Sequence, residues 1–256
     1  MAINCRLCLP VMPINETVNI LGVPVASLTL DELVAHIPEL LATPRCQYIY
    51  GVNAHSLNLA AADARFREHV LGASLIYADG ASLLLAARVL GQHLPMKITT
   101  TDLWPPLCEL AVQRQWKFFL FGGEPGLAAR AREKACQAYP SLAIVGVHDG
   151  YTDIFAAPTL EAINDTQPDI VWAGLGEPLQ AHWAWTVRPH LQARLIITCG
   201  GMFKIVAGEL QRVSAHWRQR GFEWLFRLCQ EPRTWRRYLL GLPRFGLRVI
   251  KQRLTS

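Results

Sequence analysis

The sequence predicts an α/β protein in which helices cover both faces of a mostly parallel sheet, with a basic, amphipathic helical appendage at the carboxyl terminus. Short apolar runs rich in β-branched and aromatic residues alternate along the chain with longer segments of helical periodicity. The 256 residues are 51% hydrophobic and only 18% charged, so the chain can bury a large core and is not intrinsically disordered. Basic residues accumulate towards the end of the chain.

The individual elements follow from this alternation. The predicted strands are Val18–Val25, Gln47–Val52, Ser74–Tyr77, Lys117–Phe121, Ala143–Val147, Ile170–Ala173 and Leu195–Thr198. The helices predicted between them are Thr29–Leu41, Ser56–Leu71, Ala81–Leu90, Asp102–Gln113, Gly126–Tyr139, Ala156–Thr166 and Leu179–Leu191. Thr29 is suited to cap the first helix, and Pro158 suits an early helical position. Such alternation is typical of a Rossmann-like fold with parallel strands.

Composition divides the chain into an N-terminal tail (1–15), an α/β domain (16–211) and a basic appendage (212–256). The appendage carries eleven Arg or Lys and two acids, a formal charge of +9, which leaves −4 for the rest of a chain whose net charge is +5. This distribution predicts an anionic partner for the appendage. A helix that packs on the domain with its basic face in solvent is the alternative.

Cysteine usage and hydropathy bear on the cellular compartment. The seven cysteines are scattered, which favours a reducing, cytoplasmic environment over a disulfide scaffold. Cys5-x-x-Cys8 has no second pair to complete a metal site, so we expect it to belong to an unstructured tail. No run of about 18 apolar residues is present, so we expect no segment to cross a bilayer.

Polar residues at the predicted strand ends are the first candidates for a site, because ligands of parallel sheets bind beyond the carboxyl ends of the strands. Asn53 and His55 follow the second predicted strand, and Asp79 follows the third. Asp79 is suited to act as a general base at the sheet edge or, alternatively, to cap the next helix. His55 is placed either to contact substrate or to lie at the start of a surface helix.

Two glycine pairs also follow predicted strands. Gly122-Gly123 and Gly200-Gly201 would let the backbone approach a phosphate group at a helix N-terminus. Glycines in these positions are equally consistent with turns that are merely tight. Neither pair is specific when taken alone.

Taken together, the motifs resemble those of the WecG/TagA/CpsF family of bacterial glycosyltransferases, of the N-acetylmannosaminyltransferase-like type, from about residue 18 to residue 237. The matching segments in the α/β domain are Tyr77-Ala78-Asp79-Gly80, Thr99-x-x-Asp102-Leu103, Phe121-Gly122-Gly123-x-Pro125-Gly126, Asp149-Gly150-Tyr151, Pro168-Asp169-Ile170, Gly174-x-Gly176-x-Pro178-x-Gln180 and Gly200-Gly201-x-Phe203. Those nearer the carboxyl terminus are Ala207-Gly208-x-x-x-Arg212, the segment 221–228 that contains Arg227, and Glu231-Pro232-Arg233-Thr234-x-Arg236.

The resemblance implies an inverting transfer of an N-acetylhexosamine-type sugar from a UDP donor to a polyprenyl-diphosphate-linked sugar at the inner face of the membrane. It implies Asp79 as the general base, Asn53 as a sugar ligand, no required metal and a peripheral protein. The remaining substrate-binding candidates are Lys97, Thr99, Asp102, Gly122, Gly123, Gln180, Gly200, Gly201, Arg212, Arg227, Arg233 and Arg236.

Inverting transfer needs a base for the acceptor hydroxyl and a group that stabilises the departing diphosphate. The chain has no Asp-x-Asp motif, so arginines and glycine-loop amides are the expected stabilisers. Of the appendage, we expect the family-matching arginines to face the diphosphates. The residues expected at an anionic membrane surface are Trp235, Tyr238, Leu239, Leu242, Arg244, Phe245, Arg248, Lys251 and Arg253.

The chain departs from the family pattern at several positions. Lys97 replaces a usual Arg, Leu179 and Ala181 replace a Lys and a Glu, Lys204 replaces an Asp, and Gly51 replaces a frequent Thr. Val213-Ser214 also replaces Ala-Pro after Arg212. These departures are consistent with a different sugar specificity or with lost activity.

Two other functions compete with transfer. A catalytically silent relative would bind lipid-linked sugar within an assembly complex; the altered motif positions favour it, and the retained Asp79 and Asn53 oppose it. A dinucleotide-dependent oxidoreductase ranks last, because no Gly-x-Gly-x-x-Gly follows the first strand. Nucleic acid is not an expected partner because no such motif is present. A homo-oligomer is an alternative means of covering the apolar face of the appendage.

Overall fold

The computed structural model describes residues 16–213, 223–231 and 234–255. The expectations for residues 1–15, including Cys5 and Cys8, lie outside the described residues. So do those for Arg233 and for the side chain of Arg227.

Within this described part, six parallel strands form the main sheet, which confirms the predicted parallel arrangement. They are β3 (Gln47–Val52), β4 (Leu75–Ala78), β5 (Lys117–Gly122), β6 (Ala143–His148), β7 (Ile170–Gly174) and β8 (Leu195–Thr198). Their order across the sheet is β4-β3-β8-β7-β5-β6. Because all six run the same way, their carboxyl ends share one edge.

The helices between Leu30 and Val206 flank this sheet. They are α1 (Leu30–Ala42), α2 (Ala54–Ala60), α3 (Ala64–Leu71), α4 (Ala81–Val89), α5 (Thr100–Arg114), α6 (Leu127–Ala138), α7 (Ala157–Asn164), α8 (Leu179–Val187) and α9 (Met202–Val206). As predicted, Thr29 caps α1, where its hydroxyl and Glu32 form a reciprocal capping box, and Pro158 lies in the first turn of α7.

Successive strand residues enter different apolar clusters, which is the mark of a sheet covered on both faces. In β3, Ile49 packs with residues of α1 and α5, whereas Tyr50 and Val52 pack with residues of α2 and α4. In β7, Trp172 joins the first cluster, and Val171 packs with residues of α7 and α8. The predicted two-sided α/β fold is therefore confirmed.

Two predicted elements were wrong in detail. The run Val18–Val25 forms a separate antiparallel hairpin, β1 (Thr17–Ile20) with β2 (Val23–Ala26), because Leu21 and Gly22 turn the chain with positive φ angles. The predicted helix Ser56–Leu71 is interrupted after Ala60. Asp63 begins α3 by accepting hydrogen bonds from the amides of Arg65 and Phe66, so one apolar run yields two helices.

Among the described residues beyond 213, the chain forms α10 (Glu223–Gln230), a π-helical turn (Arg236–Leu240) and α11 (Gly241–Thr255). Helix α11 packs against α2 and α4 through buried Phe245 and Val249. Arg248 donates from Nη1 to the backbone oxygen of Asn58 (2.8 Å) and to its Oδ1 (3.1 Å). Phe245 and Arg248, expected at a membrane surface, therefore face the α/β domain. No described helix is long and apolar enough to cross a membrane.

Candidate active site

A cavity of about 630 Å³ opens at the carboxyl edge of the sheet, beyond the adjacent strands β4, β3, β8 and β7. Each strand contributes residues just past its end. Among the lining residues are Asn53, His55, Asp79, Gly80, Gly176, Glu177, Cys199, Gly200 and Gly201. Lys97 and Thr99 line it ahead of α5, and helices α4 and α11 form an outer wall. Most of the strand-end residues identified from the sequence thus meet at one place.

Strand register brings Asn53 and Asp79 together. Val52 of β3 is the partner of Ala78 in β4, and the amide of Asp79 donates to the backbone oxygen of Val52 at 2.7 Å. Asn53 is the N-cap of α2, and its Oδ1 accepts from the amides of His55 (3.0 Å) and Ser56 (3.2 Å). The cap fixes the Asn53 side chain at the cavity wall.

Asp79 lies directly before helix α4 and lines the cavity, and its role as base or cap stays a prediction. Gly80 is the N-cap residue of α4 and, as a glycine, it forms no side-chain cap. Gly80 has φ of +133°, a conformation open to glycine and rarely to other residues. The conformation of Gly80 lets helix α4 begin immediately after Asp79, which lines the cavity.

Thr99 and Asp102 form a reciprocal capping box at the start of α5. The Thr99 hydroxyl donates to Asp102 Oδ2 at 2.6 Å, and the Asp102 amide donates to that hydroxyl at 3.2 Å. Asp102 also forms an ion pair with Arg212. Thr99 faces the cavity, whereas Asp102 and Arg212 lie outside its lining. The latter two are therefore placed to position Thr99 rather than to line the cavity.

A buried hydrogen-bond network joins the walls formed by β3, β7 and β8. Glu177 Oε1 accepts hydrogen bonds from the Tyr50 hydroxyl and from Gln180 Nε2, the latter at 2.7 Å. Gln180 Oε1 accepts from the amide of Gly200 at 3.0 Å. Gln180 was predicted from the sequence, but Glu177 and Tyr50 were missed. Their signal was weak, since Glu177 occupies an unspecified position of its motif and Tyr50 lies inside an apolar strand.

The two glycine pairs have different surroundings. Gly200 and Gly201 line the cavity, and a Cβ built on Gly200 would meet no atom within 4 Å. Gly122 and Gly123 lie outside the cavity lining. A Cβ on Gly122 would lie 2.6 Å from the backbone of Gly174, so close packing of β5 on β7 requires this glycine. Phosphate binding by Gly122 and Gly123 remains a prediction.

The arginines of the π-helical turn face different ways. Arg237 lines the cavity, whereas Arg236 is exposed outside it, with its guanidinium 5.3 Å from the centre of the Trp235 ring. Burial and the charge of Arg237 both lower the pKa of His55, which is consequently neutral at pH 7. The family motif matched Arg236 rather than Arg237. The sequence alone does not show which of these two neighbouring arginines faces the cavity, because that depends on the orientation of the π-helical turn.

The fold and the cavity give an α/β protein with a candidate active site at the carboxyl edge of its parallel sheet. The chain belongs to the WecG/TagA/CpsF family of glycosyl transferases, whose sequence model matches residues 18–256. The predicted family and enzyme class are therefore confirmed.

Two relatives illustrate the family. The N-acetylglucosaminyldiphosphoundecaprenol N-acetyl-beta-D-mannosaminyltransferase of Staphylococcus aureus (strain MRSA252) is 26% identical over 238 residues, which cover 91% of this chain and 92% of the relative. The enzyme of the same name from Bacillus spizizenii is 26% identical over 192 residues, or 75% of this chain and 74% of the relative.

Proposed function

We propose that this chain transfers an N-acetylhexosamine-type sugar from a UDP-sugar to a polyprenyl-diphosphate-linked sugar, with inversion at the anomeric carbon. The relatives are named for a transfer to N-acetylglucosaminyldiphosphoundecaprenol, an acceptor that joins a sugar diphosphate to a long hydrocarbon chain. The observation that carries the proposal is that one and the same cavity is lined by polar residues, which form its floor, and by apolar residues of α4 and α11, which form its outer wall.

The outer wall suits the hydrocarbon part of such an acceptor. The cavity lining includes Leu85 and Val89 of α4 and Leu242, Val249 and Ile250 of α11. Leu85 is 63% exposed and Ile250 is 50% exposed, so the wall continues onto an apolar surface. A nucleotide-sugar offers no comparable hydrocarbon, and burying the first isoprene units there would remove apolar area from water.

The polar floor suits the chemistry. Asp79 accepts the proton of the acceptor hydroxyl as its oxygen attacks the anomeric carbon from the face opposite UDP. The new glycosidic bond forms as the bond from the anomeric carbon to the phosphate oxygen breaks, and UDP leaves with the electron pair. Lys97 and Arg237 are the described cations of the cavity lining, and they offset the charge that develops on the diphosphate.

The carboxyl-terminal helix is proposed to contact the cytoplasmic leaflet, where this acceptor would be embedded. On α11, Leu247 is 70% exposed and Leu254 is 81% exposed, and Arg244, Lys251 and Arg253 belong to the same helix. Exposed leucines combined with cations suit an anionic membrane surface, with each basic residue contributing about 1 kcal/mol.

UDP binding tests the donor class. UDP should raise the thermal unfolding midpoint of the full chain in a concentration-dependent way, because a ligand that binds the folded state stabilises it by mass action. NAD at the same concentration is the matched control. Equal stabilisation by both nucleotides, or by neither, would contradict a UDP-sugar donor.

The apolar wall has its own test. Leu85→Asn should raise KM for a prenyl-diphosphate sugar about tenfold while leaving KM for the donor unchanged, since it removes roughly 1–2 kcal/mol of apolar contact. Leu71→Asn, on the exposed face of α3 and outside the cavity, is the control. Equal effects of the two substitutions would exclude the wall as the lipid site.

A further inference from the structure

The π-helical turn that carries Arg237 is held at both of its ends. At the end nearer α11, Asn58 of α2 donates from Nδ2 to the backbone oxygen of Gly241 at 2.8 Å. At the other end, the backbone oxygen of Glu231 accepts from the amide of Thr234 at 3.0 Å and from its hydroxyl at 2.7 Å. Because Thr234 precedes Arg237 by only three residues, the position of Glu231 determines how the chain enters the turn.

An ion pair fixes Glu231 to the α/β domain. Lys204 of α9 donates from Nζ to Glu231 Oε1 at 2.8 Å. The two side chains are 38% and 24% exposed, so solvent screens the pair incompletely. Helix α9 begins directly after Gly200 and Gly201, which line the cavity. The ion pair therefore connects the cavity wall formed by these glycines with the segment that leads to Arg237.

Lysine at position 204 is one of the departures from the family motif, which has an aspartate there. An aspartate would place a second negative charge beside Glu231, and like charges at this separation repel each other. The side chain of Gln230 also contacts the domain, through hydrogen bonds with the backbone amide (3.1 Å) and oxygen (3.2 Å) of Gln211. Since these bonds are uncharged, a change at Lys204 should displace the segment rather than detach it.

We infer that Lys204 and Glu231 are positioning residues for sugar transfer, because their ion pair holds the π-helical turn where Arg237 lies in the cavity. The inference rests on the proposed function, in which Arg237 offsets the charge that develops on the departing diphosphate. Neither member of the pair lines the cavity, so both act through Arg237. Such an effect is sensitive to distance, since a displacement of about 1 Å can lower a rate on the order of 10²-fold.

A charge exchange in the full chain tests the inference, with a UDP-hexosamine and a short-chain prenyl-diphosphate sugar as substrates. Lys204→Asp should lower kcat about three- to tenfold and change KM less, because the contact that is weakened acts in the transition state. Glu231→Lys should lower kcat as well. The double variant restores an ion pair with the charges exchanged, so it should be more active than either single variant.

A second cycle separates positioning from a general effect on stability. Lys204→Asp is combined with Arg237→Ala, and in that background it should change kcat less than about twofold, because the group that it positions is gone. Arg130→Asp is the matched control. It breaks an exposed ion pair between Arg130 Nη2 and Glu209 Oε1 (2.6 Å) that does not involve the turn, so kcat should stay at the wild-type value. The thermal midpoint of each variant is measured alongside.

Four results would overturn the inference. They are an unchanged kcat in Lys204→Asp, an equal loss in Arg130→Asp, a double charge exchange no more active than the single variants, and losses that multiply when Lys204→Asp is added to Arg237→Ala. The last result would show that the pair acts independently of Arg237. If the wild type forms no product, the proposed function and this inference fail together, whereas a failed charge exchange alone leaves transfer intact.

Discussion

Tyr50 and Tyr77 lie on the neighbouring strands β3 and β4, and both side chains are fully buried. The Tyr50 hydroxyl donates to Glu177, whereas the Tyr77 hydroxyl has no hydrogen-bond partner among the described residues. A Cβ on Gly51 would lie 3.0 Å from the Tyr77 ring and hydroxyl. The departure from threonine at position 51 therefore has a physical cause, because a larger residue there would press on Tyr77.

This difference predicts opposite effects of the same substitution. Tyr50→Phe should lower the free energy of unfolding by about 1–2 kcal/mol, because it leaves buried Glu177 with one donor fewer. Tyr77→Phe should leave stability unchanged or raise it slightly, since it removes a buried hydroxyl that has no partner. Urea unfolding at neutral pH measures both values. Equal destabilisation by the two variants would mean that the Tyr77 hydroxyl has a partner, such as an ordered water.

At the residue scale, the sequence located Asp79, Asn53, Lys97, Thr99, Gln180 and the Gly200 pair at the cavity. Asp79, Asn53 and the Gly200 pair were predicted because parallel strands deliver their end residues to one edge. Lys97, Thr99 and Gln180 were predicted from the family motifs. The sequence did not reveal Glu177 or Arg237. Their positions depend on how the segment after β7 and the π-helical turn are oriented, which no spacing within the sequence specifies.

At the scale of the element, two helices carry the same capping box in different surroundings. Thr29 and Glu32 cap α1, and Thr99 and Asp102 cap α5, where Thr99 lines the cavity. Thr29→Ala and Thr99→Ala should each cost about 1 kcal/mol of stability. We expect only Thr99→Ala to lower kcat/KM for transfer, because it also removes a hydroxyl from the cavity wall.

The pair of variants separates stability from function. Urea unfolding measures how much each capping threonine contributes to stability, and initial rates of transfer measure how much each contributes to activity. If Thr29→Ala lowered the rate as much as Thr99→Ala, loss of folded protein would explain both results. Thr99 would then have no separate role in binding.

The boundaries of helices and strands were predictable where a local sequence signal specifies them. The Thr29 cap and the proline at position 158, early in its helix, are such signals, and both were confirmed. The hairpin of β1 and β2 was missed because only Leu21 and Gly22 separate two apolar runs. The break between α2 and α3 was missed because a cap formed by Asp63 gives a weaker signal than the apolar run that surrounds it.

At the scale of the whole molecule, some residues of helix α11 pack against the α/β domain and others are exposed to solvent. Phe245, Val249 and Arg248 contact the domain, whereas Leu247 and Leu254 are exposed. The prediction of a basic, amphipathic helix was confirmed. The sequence could not assign its two apolar faces, because both contain large side chains.

Membrane binding is therefore best tested by point substitutions rather than by deletion of the helix, which would uncover the buried cluster. Leu247→Gln combined with Leu254→Gln should reduce co-sedimentation with anionic liposomes several-fold without lowering the thermal midpoint, because both side chains are exposed. Leu71→Gln on α3 is the control. Undiminished binding by the double variant would contradict the membrane role of this face, and the oligomeric state would be the next property to measure.

The central claim, sugar transfer with Asp79 as the base, is tested most directly by the mass of the lipid product. Purified protein is incubated with a panel of UDP-hexosamines and UDP-uronates and a short-chain prenyl-diphosphate sugar, alongside Asp79→Asn and the exposed control Asp165→Asn. We predict a product heavier by one sugar in the wild type and in Asp165→Asn. Asp79→Asn should form it about 10²–10⁴-fold more slowly, because a general base has been removed. Undiminished product from Asp79→Asn, or no product from any donor despite UDP binding, would contradict the account, and the second result would favour a catalytically silent relative.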